Sequence, residues 1–269
     1  MSTYVIGDIQ GCFDDLLKLL EEIQFNNKTD TLIFCGDLVN RGGSSLEVLR
    51  WVYANQNCCR VILGNHDLSL LAQYYEPKFR KLKNIEFQQI FSASDCNLLM
   101  NWLINQQILV YLKKFKTIVV HAGIHPLWNK KRAIKEAKNI QYLLSSNPKK
   151  TLSKMFGSKP NHWHDTLNGI DRTRFAINSF TRMRFLYKNG GLNFKAKGKI
   201  DNFPQLIPWY EYPSREKLKD TIVFGHWSAL GLFSKNGVIC IDTGKVWGGK
   251  LTALKLDNLD KKGQHVFQV

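Results

Sequence analysis

The sequence predicts a layered α/β protein whose chemically active residues gather on one rim, and two observations carry that reading. Six apolar runs of strand length each stop at a glycine or at a small polar residue able to bind a metal. They are TYVI before Gly7-Asp8, LIFC before Gly36-Asp37, RVIL before Gly64-Asn65-His66-Asp67, TIVV before His121-Ala122-Gly123, TIVF before Gly225-His226, and VICI before Asp242-Thr243-Gly244. Continuous β-branched runs mark strands buried on both faces, and in such proteins ligands collect in the loops at the strands' carboxyl ends. The second observation is helical periodicity between the first runs. It makes the first 75 residues read β-α-β-α-β, the pattern of parallel strands joined by right-handed crossovers.

After Gly11, CFDDLLKLLEEI sets Phe13, Leu16, Leu17, Leu20 and Ile23 on one helical face, with acids in the first turn where they complement the helix dipole. Strand 31–35 follows. Ser44-Ser45-Leu46-Glu47 offers caps for a helix through Tyr53, and strand 60–63 completes the next unit. Regularity lapses between Glu76 and Lys116, where LLMNWLINQQ predicts a helix capped near Ser94 within an inserted cap. The interval from His121 to His226 holds an amphipathic helix over 130–144 (Ala133, Ile134, Ala137, Ile140, Leu143, Leu144), then a Pro, Lys and Gly-rich stretch, 145–161, expected as loop. Irregular chain is expected from Lys195 to Pro213, and short strands return at 221–224, 237–241 and 251–256. A single domain over 1–269, with cap insertions at roughly 76–116 and 126–219, accounts for the whole pattern.

The net charge of +16 creates a field that attracts polyanions such as nucleotides, RNA or acidic lipid, although a generally basic solvated surface would look the same. No apolar stretch reaches the length of a membrane span, and MSTYVIGDIQG lacks the features of a signal peptide, so a cytoplasmic protein with no membrane partner is expected. The six cysteines show neither a disulfide rhythm nor CxxC pairs, and reduced, mostly buried thiols are predicted.

Two neighbouring divalent ions need a bridging carboxylate, oxygen and imidazole ligands, and open positions for water and a phosphoryl oxygen. Asp37, in GDLVNRG, is the candidate bridge, Asp8 the ligand of the first ion, and Asn65, His121 and His226 the ligands of the second. His66, beside Asn65, is placed as general acid facing the substrate. Arg41 and the pair Arg182 and Arg184 in FTRMRF are bidentate donors for phosphate oxygens, with Asn65 completing the substrate-binding set. Each element alone has a bland explanation as a turn, a core histidine or a solvated arginine; their order and spacing do not. His125, His162, His164 and His265 lack that context and are assigned to the surface or to loop packing. Gly244 to Leu251 nearly matches a phosphate-binding P-loop, but Leu251 replaces its Ser or Thr and LTALKL alternates like a strand, so that reading is rejected.

Taken together, GDIQG, GDLVNRG, GNHD, HAG and GHW resemble the calcineurin-like metallophosphoesterases, in the branch that includes serine/threonine protein phosphatases. The segments GNHDLSLLA, HAGIHPLW, FTRMRF, FGHWSALG and IDTGKVWGGKLTAL are similar to the bacterial symmetrical bis(5′-nucleosyl)-tetraphosphatases, and the likeness extends over nearly the whole chain. It implies a sandwich of two mixed β-sheets flanked by helices, with helical cap insertions and two divalent ions, manganese or cobalt. The implied reaction is cleavage of diadenosine tetraphosphate to two ADP, by in-line attack of a hydroxide bridging the metals.

Two positions depart from the family pattern. Gln10 stands where GDxHG usually has histidine; its amide oxygen can still bind a hard divalent ion, which makes it a further candidate ligand. Asn40 stands where protein phosphatases have the aspartate of GDxxDRG. Expelling ADP needs less proton donation than expelling an alkoxide, so Asn40 favours a nucleotide anhydride over a phosphoprotein. Competing readings are a hydrolase of capped RNA 5′ ends, a serine/threonine protein phosphatase, and a non-catalytic nucleotide or RNA binder that has lost its first metal through Gln10. Trp209, Trp227 and Trp247 are candidates for stacking on adenine.

Overall fold

The computed structural model describes residues 1–80, 83–257 and 265–269. Along the chain the elements are β1 (Thr3–Ile6), α1 (Phe13–Glu22), β2 (Thr31–Phe34), α2 (Ser45–Ala54), β3 (Cys59–Val61), α3 (Asn65–Tyr75), α4 (Ile85–Ser92) and α5 (Cys96–Leu103). There follow β4 (Leu109–Leu112), β5 (Thr117–Val120), α6 (Lys130–Ser146), α7 (Pro148–Met155), α8 (Gly169–Arg182), β6 (Phe185–Leu186), β7 (Leu192–Asn193) and β8 (Ile207–Pro208). The chain ends with β9 (Thr221–Phe224), β10 (Phe233–Lys235), β11 (Val238–Cys240), β12 (Thr252–Lys255) and β13 (Val266–Gln268).

The strands make two five-stranded mixed sheets, ordered β13-β12-β1-β2-β3 and β10-β11-β9-β5-β4, and a small third sheet, β7-β6-β8. The centre of each large sheet is parallel, β1-β2-β3 in one and β5-β9-β11 in the other, with antiparallel strands added at the margins. Strand periodicity explains why the central runs are apolar throughout. Val5, Ile33, Val119 and Val223 meet in one buried cluster between the sheets. Their chain neighbours Ile6, Phe34, Val120 and Phe224 point the other way, into the larger core beneath the helices. Each such side chain contributes roughly 1.5–3 kcal/mol by leaving water, so both faces of each sheet are anchored.

Some segments depart from the sequence reading. Leu109–Leu112 lies within the interval expected as an inserted cap, yet it pairs antiparallel with β5 as an edge strand. The stretch 145–161, expected as loop, contains α7, with Pro148 in its first turn where a missing N–H costs nothing. Thr151, Leu152 and Met155 are the buried side of that helix, a stripe too short to stand out among lysines. Helix α5 starts after Asp95 rather than Ser94, and the Asp95 carboxylate binds Arg50 of α2 at 2.8 and 2.9 Å instead of capping its own helix. Within the expected irregular stretch 195–213, Ile207–Pro208 forms β8. Among the described residues no helix is long and apolar enough to cross a membrane.

Candidate metal centre and substrate cleft

Pairing register brings the functional loops to one level. Ile6 lies opposite Phe34 and Phe34 opposite Val61, while Val120 lies opposite Phe224 and Phe224 opposite Cys240. The loops that leave these residues therefore rise together from the carboxyl ends of both sheets. Two hydrogen bonds lace the rims: the His226 N–H donates to the Asp8 carboxylate (3.1 and 3.2 Å), and His121 Nδ1 lies 2.8 Å from the Cys35 carbonyl. Facing a carbonyl, Nδ1 must be the donor. Nε2 of His121 then presents a lone pair to the site.

The loops are held in costly conformations. Gln10, Asp37, Asn40, Arg41 and His226 all have left-handed backbones, with φ of 47°, 49°, 84°, 87° and 66°. Strain of about 1–3 kcal/mol each persists only where surrounding contacts over-determine it. Here Gln10 N–H donates to Asp37 O (2.8 Å) and Gly11 N–H to Leu38 O (2.9 Å). The wholly buried Asp67 carboxylate accepts from the backbone N–H groups of Asp37 (2.8 Å), Leu38 (2.9 Å) and Gly64 (2.9 Å). Burial and the Asp37 charge push Asp67 up to about 7 against the pull of those donors. Gly64 and Gly225 are required by close approach, since a Cβ would collide with the carboxylates of Asp37 and Asp8 respectively.

The ligand atoms of Asp37, His121 and His226 lie within 4.8 Å of one another. Asp37 Oδ2 is 3.5 Å from His121 Nε2 and 3.9 Å from His66 Nε2. One terminal atom of the Asn65 amide sits 3.2 Å from His121 Nε2, 2.9 Å from His226 Nδ1 and 3.1 Å from Thr181 O. All three neighbours are acceptors. In a cation-free site the amide nitrogen turns toward them, whereas with oxygen in that place the converging lone pairs form the donor set a cation organises.

Electrostatics point the same way. Burial, reinforced by Asp242 and Asp37, drives the Asp8 carboxyl well above its usual range. Burial raises Asp242 to about 6, the nearby Asp37 adding to the effect and the Gly244 N–H opposing it. Burial depresses His121 and, with the Arg184 charge, holds His226 well below the ordinary imidazole value. Neutral imidazoles beside crowded carboxylates, whose charge Arg184 and Arg41 offset only in part, suit an added cation.

The rim opens into a cleft of about 610 Å³ lined by Asp8, Gln10, Asp37, Arg41, Asn65, His66, Arg182, Arg184 and His226, with His121 buried behind them. The residues selected from sequence thus converge. Arg184 donates to the His226 carbonyl at 2.8 Å, and burial lowers its pKa to about 10. Arg182 donates to Asn178 Oδ1 at 2.9 Å. Asn40 Nδ2 lies 2.5 Å from His66 Nδ1, and Asn84 Nδ2 donates to Asn40 Oδ1 at 3.1 Å.

The cleft also contains Asp242, Phe194, Lys197 and Ser228, to which sequence assigned no role. Asp242 carried a signal, since it ends an apolar run, but its nearness to Asp8 exists only across two sheets. Trp209 and Trp227 are core residues and are removed as base platforms, whereas Trp247 is 65% exposed on the cleft wall. His125 is not on the surface: it is buried among Trp128 and Phe175. Gly244 to Leu251 forms a short 3₁₀ turn leading to β12 rather than a phosphate-binding helix.

Residues 1–256 match the family model described as calcineurin-like phosphoesterase. The chain is 42% identical to the symmetrical bis(5′-nucleosyl)-tetraphosphatase of Vibrio cholerae serotype O1, over 96% of each protein. It is 46% identical to the protein of the same name from Xanthomonas campestris pv. campestris, over 96% of this chain and 80% of that one. A solved structure of a candidate diadenosine tetraphosphatase shares the fold, with a TM-score of 0.66 at 22% identity over 99% of this chain and 92% of the other.

Proposed function

The chain belongs to the calcineurin-like phosphoesterase family, and we propose that it hydrolyses diadenosine tetraphosphate at the central bridge, releasing two ADP. Near full-length likeness to two proteins named for that activity carries the proposal. The chemistry of the cleft supports it, because an arginine-lined groove beside a carboxylate and imidazole cluster suits a polyphosphate.

Asp8 and Gln10 would hold one divalent ion and Asn65, His121 and His226 the second, with Asp37 shared and Asp242 adding charge beside Asp8. Manganese is our choice of metal, with cobalt as its substitute. When bound, the ions supply Lewis-acid polarisation of a phosphoryl oxygen and make water acidic enough to serve as nucleophile near neutrality. Arg41, Arg182 and Arg184 fix the phosphate chain and offset charge that builds up in the transition state. His66 offers the departing oxygen a hydrogen bond rather than its proton, which suffices because ADP leaves with little need of protonation. Because Asn84 occupies Asn40 Oδ1, the Asn40 amide turns its NH₂ to His66 Nδ1, which leaves the His66 proton on Nε2, the nitrogen toward Asp37 and the cleft.

Chromatography of early time points with added manganese tests the reading. ADP should be the only nucleotide product; AMP and ATP in equal amounts would mean attack at an outer phosphorus and would sink it.

A further inference from the structure

Beside the cleft lies a second cavity of about 370 Å³ that shares Asn65, His66 and Arg182 with it. The two cavities differ in chemistry. The cleft carries Asp8, Asp37 and Asp242 together with Arg41, Arg184 and Lys197. Among the described residues lining the side cavity there is no carboxylate, and the groups able to carry positive charge are His66 and Arg182 on the shared edge. Its walls combine the apolar faces of Phe87, Met155, Phe156 and Ile177 with the amide and hydroxyl groups of Asn84 and Ser158.

A cavity with apolar faces and amide edges, whose arginine stands only on the edge shared with the cleft, suits a flat heterocycle with a hydrogen-bonding rim better than a phosphate chain. It is also of the size that small-ligand pockets have. Position adds a second constraint. The cavities meet at His66, the donor to the departing oxygen, so a substrate crossing that edge has its phosphates in the cleft and its departing half beyond it. On the cleft wall, Trp247 offers an exposed ring with the Arg41 guanidinium 4.8 Å from its centroid, an arrangement able to take the other base.

We propose that the side cavity binds the nucleoside of the departing diphosphate, while Trp247 stacks on the base of the retained half. The assignment rests on the dinucleotide reading above. It makes the site bipartite: two nucleoside subsites of different construction, one on either side of the reacting phosphate.

Ser158 and Phe156 are both exposed, so the cavity can be altered without touching the core. Ser158→Trp fills it and Phe156→Ala strips one wall. Calorimetric titration of the manganese-loaded protein with ADP should show two molecules bound to the wild type and one to Ser158→Trp. Both variants should raise KM for diadenosine tetraphosphate about tenfold, a loss of roughly 1.4 kcal/mol of binding, with unchanged melting temperature. Two ADP bound to Ser158→Trp, or wild-type KM in both variants, would overturn the subsite assignment while ADP remained the sole product. A wild type that releases no ADP from the dinucleotide would instead remove the reading beneath it.

Discussion

Asp37 combines a strained backbone with a carboxylate that no surface aspartate would tolerate. Its φ is 49°, Oδ1 accepts the His66 backbone N–H at 2.7 Å, and Oδ2 faces the lone pair of His121 Nε2. A residue kept there must repay its strain, and the shared ligation of two cations proposed above would do so. Asp37→Asn keeps the shape and an acceptor for the His66 N–H while removing the charge. Turnover should fall on the order of a thousandfold or more, and bound manganese measured by elemental analysis should drop, with the fold intact by circular dichroism. Near-normal turnover in that variant would exclude a mechanism that depends on two ions. Gln10, by contrast, enters the cleft at a φ of 47° through a backbone hydrogen bond to Asp37, so its position is fixed by the same loop pairing.

At the scale of elements, one side chain ties two βα junctions together. Asp67 in the first turn of α3 caps its own helix through the Gly64 N–H and crosses to the β2 loop through Asp37 and Leu38. Asp67→Ala would leave these three buried donors without partners. At about 1 kcal/mol or more for each, the loss is about 3 kcal/mol, read as a lowered urea midpoint for metal-free protein. A change below about 1 kcal/mol would mean that water replaces the carboxylate. The strand ends were legible in the sequence because the ligand-type residues follow parallel strands directly, and parallel neighbours put successive loops on one rim. What escaped it depended on contacts between distant segments. Asp67 could be seen only as part of GNHD, its bonds to Asp37 and Leu38 being a matter of packing. The side cavity draws its walls from α3, α4, α7 and α8, no two of which announce a shared surface. The three tryptophans looked alike in sequence and separated only by burial, Trp247 from Trp209 and Trp227.

For the whole molecule, the net charge of +16 understates how basic the outside is. Asp8, Asp37, Asp67 and Asp242 are buried at the site, so acids counted in that balance contribute little to the outer surface. A surface of this kind concentrates a polyanionic substrate near the cleft before any specific contact forms. Salt weakens that attraction, since the screening length is about 8–10 Å at moderate ionic strength, but it acts far less on the half-buried Arg184 and Arg182 inside the cleft. Capture and chemistry should therefore respond differently to salt. Raising sodium chloride from about 0.02 M to about 0.5 M should lower kcat/KM for diadenosine tetraphosphate on the order of tenfold and change kcat much less. A kcat/KM that stayed flat across that range would assign recognition to the enclosed arginines alone and leave the basic exterior without a part in substrate capture.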